Sequence, residues 1–398
     1  MKNTKKILAL AVAASAFAAP AFAQEVKIGF IGDVTGPIAG FAPGMVTAGN
    51  TAIDNINAQG GILGGQKLVS VLADTACTGD LGGPAGDRMV NTENVTAIFG
   101  AYCSGPTIAA ANTAAIPGNV VMLSPSATAP AVSELADNDL VFRNVVPDSV
   151  QGVKGAELLL SKGIKSVAIT YVNNDYGKGL AEAFSTAYTA AGGTVAVSVA
   201  HEDGKADYRP ELGQLEASGA TALVIYGYEN AAGGTILDQA NESGTFTQYF
   251  GGDGMAGDAL VASRKNIDGM ILTKAAAAGG PAYEAYSVLI TAAGVAPDST
   301  YASNSYDDVF ALALAIEKNG SADRAGLSAA LREVTSAPGE VILPGEWSKA
   351  VELIKAGTDI DYKGASGDME FDAVGDVPGQ IEWFVIEGGA VKSQGILP

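Results

Sequence analysis

Side chains able to do covalent chemistry are sparse in this sequence of 398 residues. There is one histidine, His201, followed by Glu202 and Asp203 in an acidic stretch, and no G-x-S-x-G run accompanies it. A nucleophile–histidine–acid triad therefore has no credible members. A phosphate-cradling G-x-x-x-x-G-K-[ST] run is also missing. Gly252 to Gly257 satisfies G-x-G-x-x-G, but a dinucleotide fingerprint belongs on the first strand–helix turn of its unit. Here at least eight strands come before it, and in a chain with 51 glycines such a match arises by chance. Asp368, Glu370, Asp372 and Asp376 alternate as calcium ligands do, yet the glycine that turns an EF-hand loop is absent from its place. Those acids read as the solvated face of a strand. No cofactor and no metal are expected, and the chain does not read as an enzyme.

What remains is a chemistry of grip. Cys103-Ser104-Gly105-Pro106-Thr107 follows one strand, and Ser124-Pro125-Ser126-Ala127-Thr128-Ala129-Pro130 follows the next. Proline suits the first turn of a helix, where main-chain N–H groups lack intrahelical partners. Such N–H groups, with serine and threonine hydroxyls beside them, bind an anion without any basic side chain. Plain helix capping explains either loop alone. Two such loops on neighbouring strands favour an anion site.

Charge narrows the ligand and the partners. The formal net charge is −20, from 23 Lys+Arg against 43 Asp+Glu. Lys2, Lys5 and Lys6 lie in a leader-like segment without acids, so residues 24–398 carry −23. Phosphate backbones and anionic membrane surfaces repel such a chain, which excludes nucleic acid as a partner. The three lysines, the apolar stretch Ile7–Ala19 and Ala21-Phe22-Ala23 form a secretory signal peptide over 1–23, with the mature chain starting at Gln24. No cysteine follows to take a lipid, and no later segment has 18 uninterrupted apolar residues. The expected location is a bacterial periplasm.

Both cysteines fit an oxidising compartment. Cys77 and Cys103 each follow an expected strand, Lys67–Ala73 and Thr96–Gly100. Strand ends on one edge of a parallel sheet approach to disulfide distance. A metal site needs more ligands than these two, and a catalytic thiol needs a nearby histidine.

The elements that must position these groups alternate. Aliphatic strands are expected at Val26–Gly32, Lys67–Ala73, Thr96–Gly100 and Asn119–Leu123, then at Ser166–Tyr171, Thr194–Ala200, Thr221–Tyr226 and Thr247–Gly251. Amphipathic helices lie between them, including Pro43–Gln59, Lys178–Ala191, Tyr208–Ser218 and Ala231–Ser243. At 48% hydrophobic residues, this length supports two cores rather than one. The fold class is α/β, with two doubly wound parallel-sheet lobes. The first run breaks near Leu140–Val146, before Pro147, and a second crossing is expected at Asp268–Lys274. The later helices Ala282–Ala293, Asn304–Asn319 and Arg324–Val334 cannot make a domain alone and must complete the first. Late strands are expected at Met369–Phe371 and Gln380–Ile386. The lobes are thus residues 24–144 plus 275–371 and residues 145–274 plus 372–398, joined by a multi-strand hinge with a ligand cleft between them.

Gly32-x-x-Thr35-Gly36-Pro37, Ile56-Asn57-Ala58-Gln59-Gly60-Gly61-Ile62, the cysteine pair, Cys103-Ser104, Ser126 to Pro130 and Asn174-Asp175-Tyr176-Gly177 together resemble the leucine/isoleucine/valine-binding proteins. These are type I periplasmic binding proteins that deliver ligand to ABC transporters, and the resemblance runs from about residue 26 to near the C-terminus. It implies that Ser104 and Thr128, with the backbone at Ser126, hold an amino acid's carboxylate. It implies that Asp253 holds the ammonium, where the family carries Glu, and that Phe41, Tyr228 and Tyr301 form apolar walls. Glu229, next to Tyr228, would favour a basic or polar ligand if it faced the cleft. The partners implied are a neutral amino acid, branched-chain or aliphatic, and the permease subunits, with the binding protein a monomer. A zwitterion fits these residues, since neither of its charges can be buried unpaired. A same-fold binder or sensor of an amide, urea, aromatic acid or γ-amino acid is the alternative, and a secreted α/β enzyme the more distant one.

Overall fold

The computed structural model describes residues 25–257 and 259–398, and the expected signal peptide lies outside them. The first sheet has strand order β2-β1-β3-β4-β5, built from β1 (Glu25–Ile31), β2 (Lys67–Ala73), β3 (Ala97–Gly100), β4 (Val121–Ser124) and β5 (Val141–Arg143). Every pairing in it is parallel. Inner strand β1 buries apolar residues on both faces, with Val26, Ile28, Phe30 and Ile31 all buried. Helices therefore cover the sheet on both sides, as parallel sheets require. One is α1 (Ala42–Ala58), which buries Met45, Ala48, Ala52, Ile53 and Ile56 at helical spacing. Burial of each large aliphatic side chain there contributes about 1.5–3 kcal/mol. The helix stops at Gly60 and Gly61, both at positive φ. A Cβ on Gly61 would meet the Gln66 carbonyl oxygen at 2.3 Å, so that turn closes only with glycine.

The second sheet contains β6 (Ser166–Val172), β7 (Thr194–His201), β8 (Ala222–Tyr226), β9 (Gln248–Gly251) and β10 (Ile271–Ala275), all parallel. A short parallel pair, β11 (Glu340–Ile342) with β12 (Ile360–Tyr362), stands apart from both sheets. The second sheet gains two antiparallel strands, β13 (Ile381–Glu387) and β14 (Ala390–Ile396), giving the order β14-β13-β10-β9-β8-β6-β7. The hairpin between them is made by Gly388 and Gly389, both at positive φ, which a two-residue turn needs. Residues 369–371 form no strand, contrary to the sequence expectation. The acids around them are tied locally instead of lining one face. Asp368 pairs with Lys363, Glu370 accepts the Ala337 N–H, and Asp372 accepts the N–H groups of Val374 and Asp376.

The chain leaves the first sheet after β5 for α4 (Asp148–Ser161), which packs beside the second. It leaves the second sheet after β10 and rejoins it at β13. In between, helix Ala302–Asn319 packs against α1 and is buried along most of its length. Arg143, at the end of β5, is fully buried and pairs with Asp376 at 2.6 Å. Its remaining N–H groups reach the carbonyls of Ala127, Thr128 and Ala129 and the hydroxyl of Ser133. One guanidinium thus joins the loop after β4 to the segment that leads into β13.

Candidate functional site

Asp33, just past β1, is buried and organises the cleft edge of the first sheet. Its carboxylate accepts N–H bonds from Cys77 (3.0 Å), Tyr102 (2.8 Å) and Cys103 (3.0 Å), and the Thr75 hydroxyl bonds to it as well. Burial pushes its pKa up to about 6 against the pull of those N–H donors. The turns after β2 and β3 converge on this acid, and Cys77 and Cys103 form a disulfide there with Cα atoms 5.4 Å apart. Closing a loop of 26 residues in this way contributes about 3 kcal/mol in the chain-entropy model.

Cys103 is the N-cap of α3 (Ser104–Ala110), which places the Ser104 hydroxyl at the cleft. Ser104 Oγ accepts the Ala129 N–H at 3.1 Å, so the two serine loops are stitched to one another. Ser126 Oγ donates to the Tyr102 carbonyl at 2.8 Å, while the Ala127 N–H turns inward to Ser124 Oγ. From the other sheet, β8 runs into Tyr228 and β9 into Asp253. Helix α5 (Asp175–Ala190), capped by Asn174 through the Gly177 N–H, brings Tyr176 beside them. Tyr176 and Tyr228 stack with ring centroids 5.3 Å apart. The Tyr228 hydroxyl accepts from Asn174 Nδ2 at 3.3 Å and lies 3.6 Å from Cys77 Sγ.

Asp253 is the acid that lines the cleft itself. It accepts hydrogen bonds from Tyr301 (2.6 Å), Tyr176 (2.9 Å) and Gln151 Nε2 (3.2 Å) and is 5% exposed. Burial raises its pKa, and those three donors oppose the rise. Tyr301 comes from the opposite side of the cleft, at the head of helix Ala302–Asn319, with φ of 57°. Its ring lies 6.5 Å from that of Phe41, the residue preceding α1.

Phe41, Ser104, Ser126, Tyr228, Asp253 and Tyr301 surround one small space of about 20 Å³, with Tyr102 and Tyr176 completing its walls. Thr128 does not touch that space; its side chain is buried beside the Asp148 carboxylate. Glu229 faces away, accepting the Leu260 N–H at 2.7 Å, so Tyr228 is the wall residue of that pair. A larger groove of about 860 Å³ opens where the crossing segments run side by side, and of the predicted residues only Tyr301 borders it.

Sequence reasoning did not single out a role for Tyr176, Tyr102, Gln151 or Asp148. Asp148 and Gln151 sit one turn apart just after Pro147, a polar pair at the start of a helix. That spacing is the signal that could have found them.

The walls offer serine hydroxyls at one end, a carboxylate at the other and five aromatic rings, with no lysine or arginine side chain among them. His201 is not a wall residue. It lies at the end of β7, its Nδ1 2.8 Å from the Thr170 hydroxyl, and burial lowers its pKa to about 4. Gly254 of the glycine-rich run serves close packing, since a Cβ there would meet the Gly227 carbonyl oxygen at 2.5 Å.

A family model described as periplasmic binding protein matches residues 25–350. The Leu/Ile/Val-binding protein BraC3 of Rhizobium johnstonii is 32% identical over 346 residues, 85% of this chain and 92% of that protein. The leucine-, isoleucine-, valine-, threonine- and alanine-binding protein of Pseudomonas aeruginosa is 29% identical over 340 residues, 84% of this chain and 90% of that one. Among solved structures, the branched-chain amino acid transporter substrate binding protein LivJ of Streptococcus pneumoniae, in complex with isoleucine, superposes with a TM-score of 0.78. It is 24% identical, and the match covers 94% of this chain and all of the other. Two sheets bridged by recrossing segments, a polar aromatic cleft and likeness to these relatives over most of their length agree, and the chain belongs to the periplasmic binding protein family.

Proposed function

We propose that this protein is the solute-binding component of an ABC importer, exported to the periplasm behind its cleaved leader, and that it captures a neutral aliphatic or branched-chain amino acid. The observation that supports this most is the Tyr301–Asp253 hydrogen bond, which links the two sides of the cleft at the acid best placed for an ammonium. Ser104, Ser126 and the main chain of their loops receive the carboxylate. The rings of Phe41, Tyr176, Tyr228 and Tyr301 cover the rest of the ligand.

Binding works by closure. Each lobe offers half of the contacts, so the ligand gains its full set only when the lobes are shut, and binding shifts the open–closed equilibrium. The permease then reads the closed shape. The relatives' ligands, as their names give them, are neutral amino acids, mostly aliphatic with threonine beside them, in keeping with this reading.

Titration calorimetry of the ligand-stripped mature protein with the twenty L-amino acids tests it. The expected outcome is one-to-one binding of an aliphatic amino acid with micromolar to nanomolar affinity, roughly −8 to −12 kcal/mol. Binding of none, or of an aromatic carboxylate in their place, contradicts it.

A further inference from the structure

Helix α5 packs on its own sheet through β6, β7 and β8, and it also reaches across to α3 and the short helix Pro130–Val132 beside the first sheet. Two glycines near its start lack a side chain for different reasons. A Cβ on Gly177 would run into the Val172 carbonyl oxygen, in the turn that leads from β6 into the helix. A Cβ on Gly179 would meet the other side of the cleft. Its three nearest atoms would be Pro130 Cδ at 2.7 Å, Pro130 Cγ at 3.7 Å and Ala129 Cβ at 3.8 Å. The same closeness recurs at the first turn of α5, where a Cβ on Gly105 of α3 would lie 3.0 Å from Asp175 Oδ2.

The helix itself does not call for glycine at position 179. The residue lies past the first turn of α5 and lacks the positive φ that favours glycine, so alanine fits the backbone and is the better helix former. Carbon atoms pack about 3.5–4.0 Å apart, and a methyl group 2.7 Å from Pro130 Cδ has to displace something. The closed proline ring has no rotamer in which to swing away. Its loop is held as well: Arg143 donates to the Ala129 carbonyl at 2.9 Å, and the Ala129 N–H donates to Ser104 Oγ at 3.1 Å. What yields is the docking of α5 on the serine loops. Tyr176 stands one turn before Gly179 on the same helix face, so a displaced α5 draws that ring and its hydrogen bond to Asp253 away from the cleft.

We propose that Gly179 is a positioning residue for ligand capture, whose missing side chain lets α5 seat on Pro130 and bring Tyr176 to the ligand as the lobes shut. This role rests on the lobe closure proposed above and gives it a specific point of contact. Gly179 touches no ligand. It costs α5 some helix stability and in exchange sets how closely the two halves approach, so a substitution that strengthens the helix weakens binding.

Titration calorimetry with L-leucine, L-isoleucine and L-valine, beside thermal melts of the unliganded protein, provides the test. Gly179→Ala is expected to keep its Tm or raise it by about 1–4 °C, and to bind at least tenfold more weakly than wild type. Pro130→Ala removes the ring atoms that the new methyl group would meet. In the double variant Gly179→Ala, Pro130→Ala most of the lost affinity returns, a recovery that a residue serving only its own helix would not show. Affinity of Gly179→Ala within twofold of wild type overturns the proposal, as does a loss that the double variant fails to recover. A Gly179→Ala chain that does not fold overturns it too, because the contact would then be needed within one lobe rather than between two. Wild-type protein that binds none of the three amino acids counts against the proposed function, and small-angle X-ray scattering then decides this inference separately. A larger radius of gyration in Gly179→Ala, reversed in the double variant, supports it, and equal radii overturn it.

Discussion

The Tyr301 hydroxyl donates to Asp253 Oδ2 at 2.6 Å, joining the head of a helix packed on the first sheet to the turn that ends β9 in the second. A hydrogen bond to a buried carboxylate contributes about 1.5–3 kcal/mol. On the closure proposed above, this bond spans the cleft, adds to the shut arrangement and is lost when the lobes part. Tyr301→Phe should therefore weaken ligand affinity by about tenfold or somewhat more. The unliganded variant should also scatter X-rays at small angles as a more open particle than wild type. Equal radii and equal affinities would show that the bond does not govern closure.

Asp253→Ala should abolish amino-acid binding while leaving a folded protein. The variant strips the acceptor from Tyr176, Tyr301 and Gln151, yet it also removes a buried charge, so the net change in Tm is small. Calorimetry beside a thermal melt checks both statements, and undiminished affinity would remove the ammonium role from this residue.

Most of the repeating architecture was legible because the inner strands of a parallel sheet are continuous apolar runs, as β3 and β8 are. Strand β14 was not, since Ala390–Ile396 is an edge strand, mostly exposed and half polar. Helix α2 (Gly79–Asp87) is composed of poor helix formers around Pro84, and no propensity argument finds it. It exists through tertiary packing, with Gly82 against Pro106 and Gly86 against Ala110 in α3. The serine loops announced themselves through their prolines. Gln151 and Tyr176 gained meaning from the placement of α4 and α5 against the end of β9, where both donate to Asp253.

His201 makes stability pH-dependent with a definite sign. Its folded-state pKa of about 4 lies below the unfolded value of 6.5. The unfolded chain therefore binds a proton first as the pH falls. The contribution is complete above pH 6.5 and is lost progressively down to about pH 4, amounting to about 3 kcal/mol. Asp33, raised to about 6, titrates in the same window with the opposite sign, so the comparison must be between variants. Urea denaturation of wild type and His201→Asn from pH 7.5 to 4.5 should show the wild type losing its advantage as the pH drops. A constant difference across the range would contradict the assignment.

Arg143→Met should destabilise the protein by about 3–5 kcal/mol, since it leaves Asp376 without its cation and takes one donor from each of the carbonyls of Ala127, Thr128 and Ala129. The loop at residues 127–129 loses its anchor in the same variant, so affinity should fall together with Tm. A melt within a degree of wild type would refute the role given to this ion pair.

Reduction of the disulfide should lower stability without abolishing binding. The paired Cys77→Ser, Cys103→Ser variant is expected to lose about 3 kcal/mol. Asp33 still gathers the same turns through their N–H groups, so the cleft edge persists. Loss of all binding in a folded double variant would show that the cross-link itself shapes the site.

The most direct measurement is a crystal structure of the mature protein with the amino acid that binds it most tightly. The account predicts a ligand between the two sheets, its nitrogen within about 3 Å of Asp253 and its carboxylate at the Ser104 and Ser126 turns. A ligand lying in the large groove beside the crossing segments, or one with its carboxylate directed at Asp253, would contradict it.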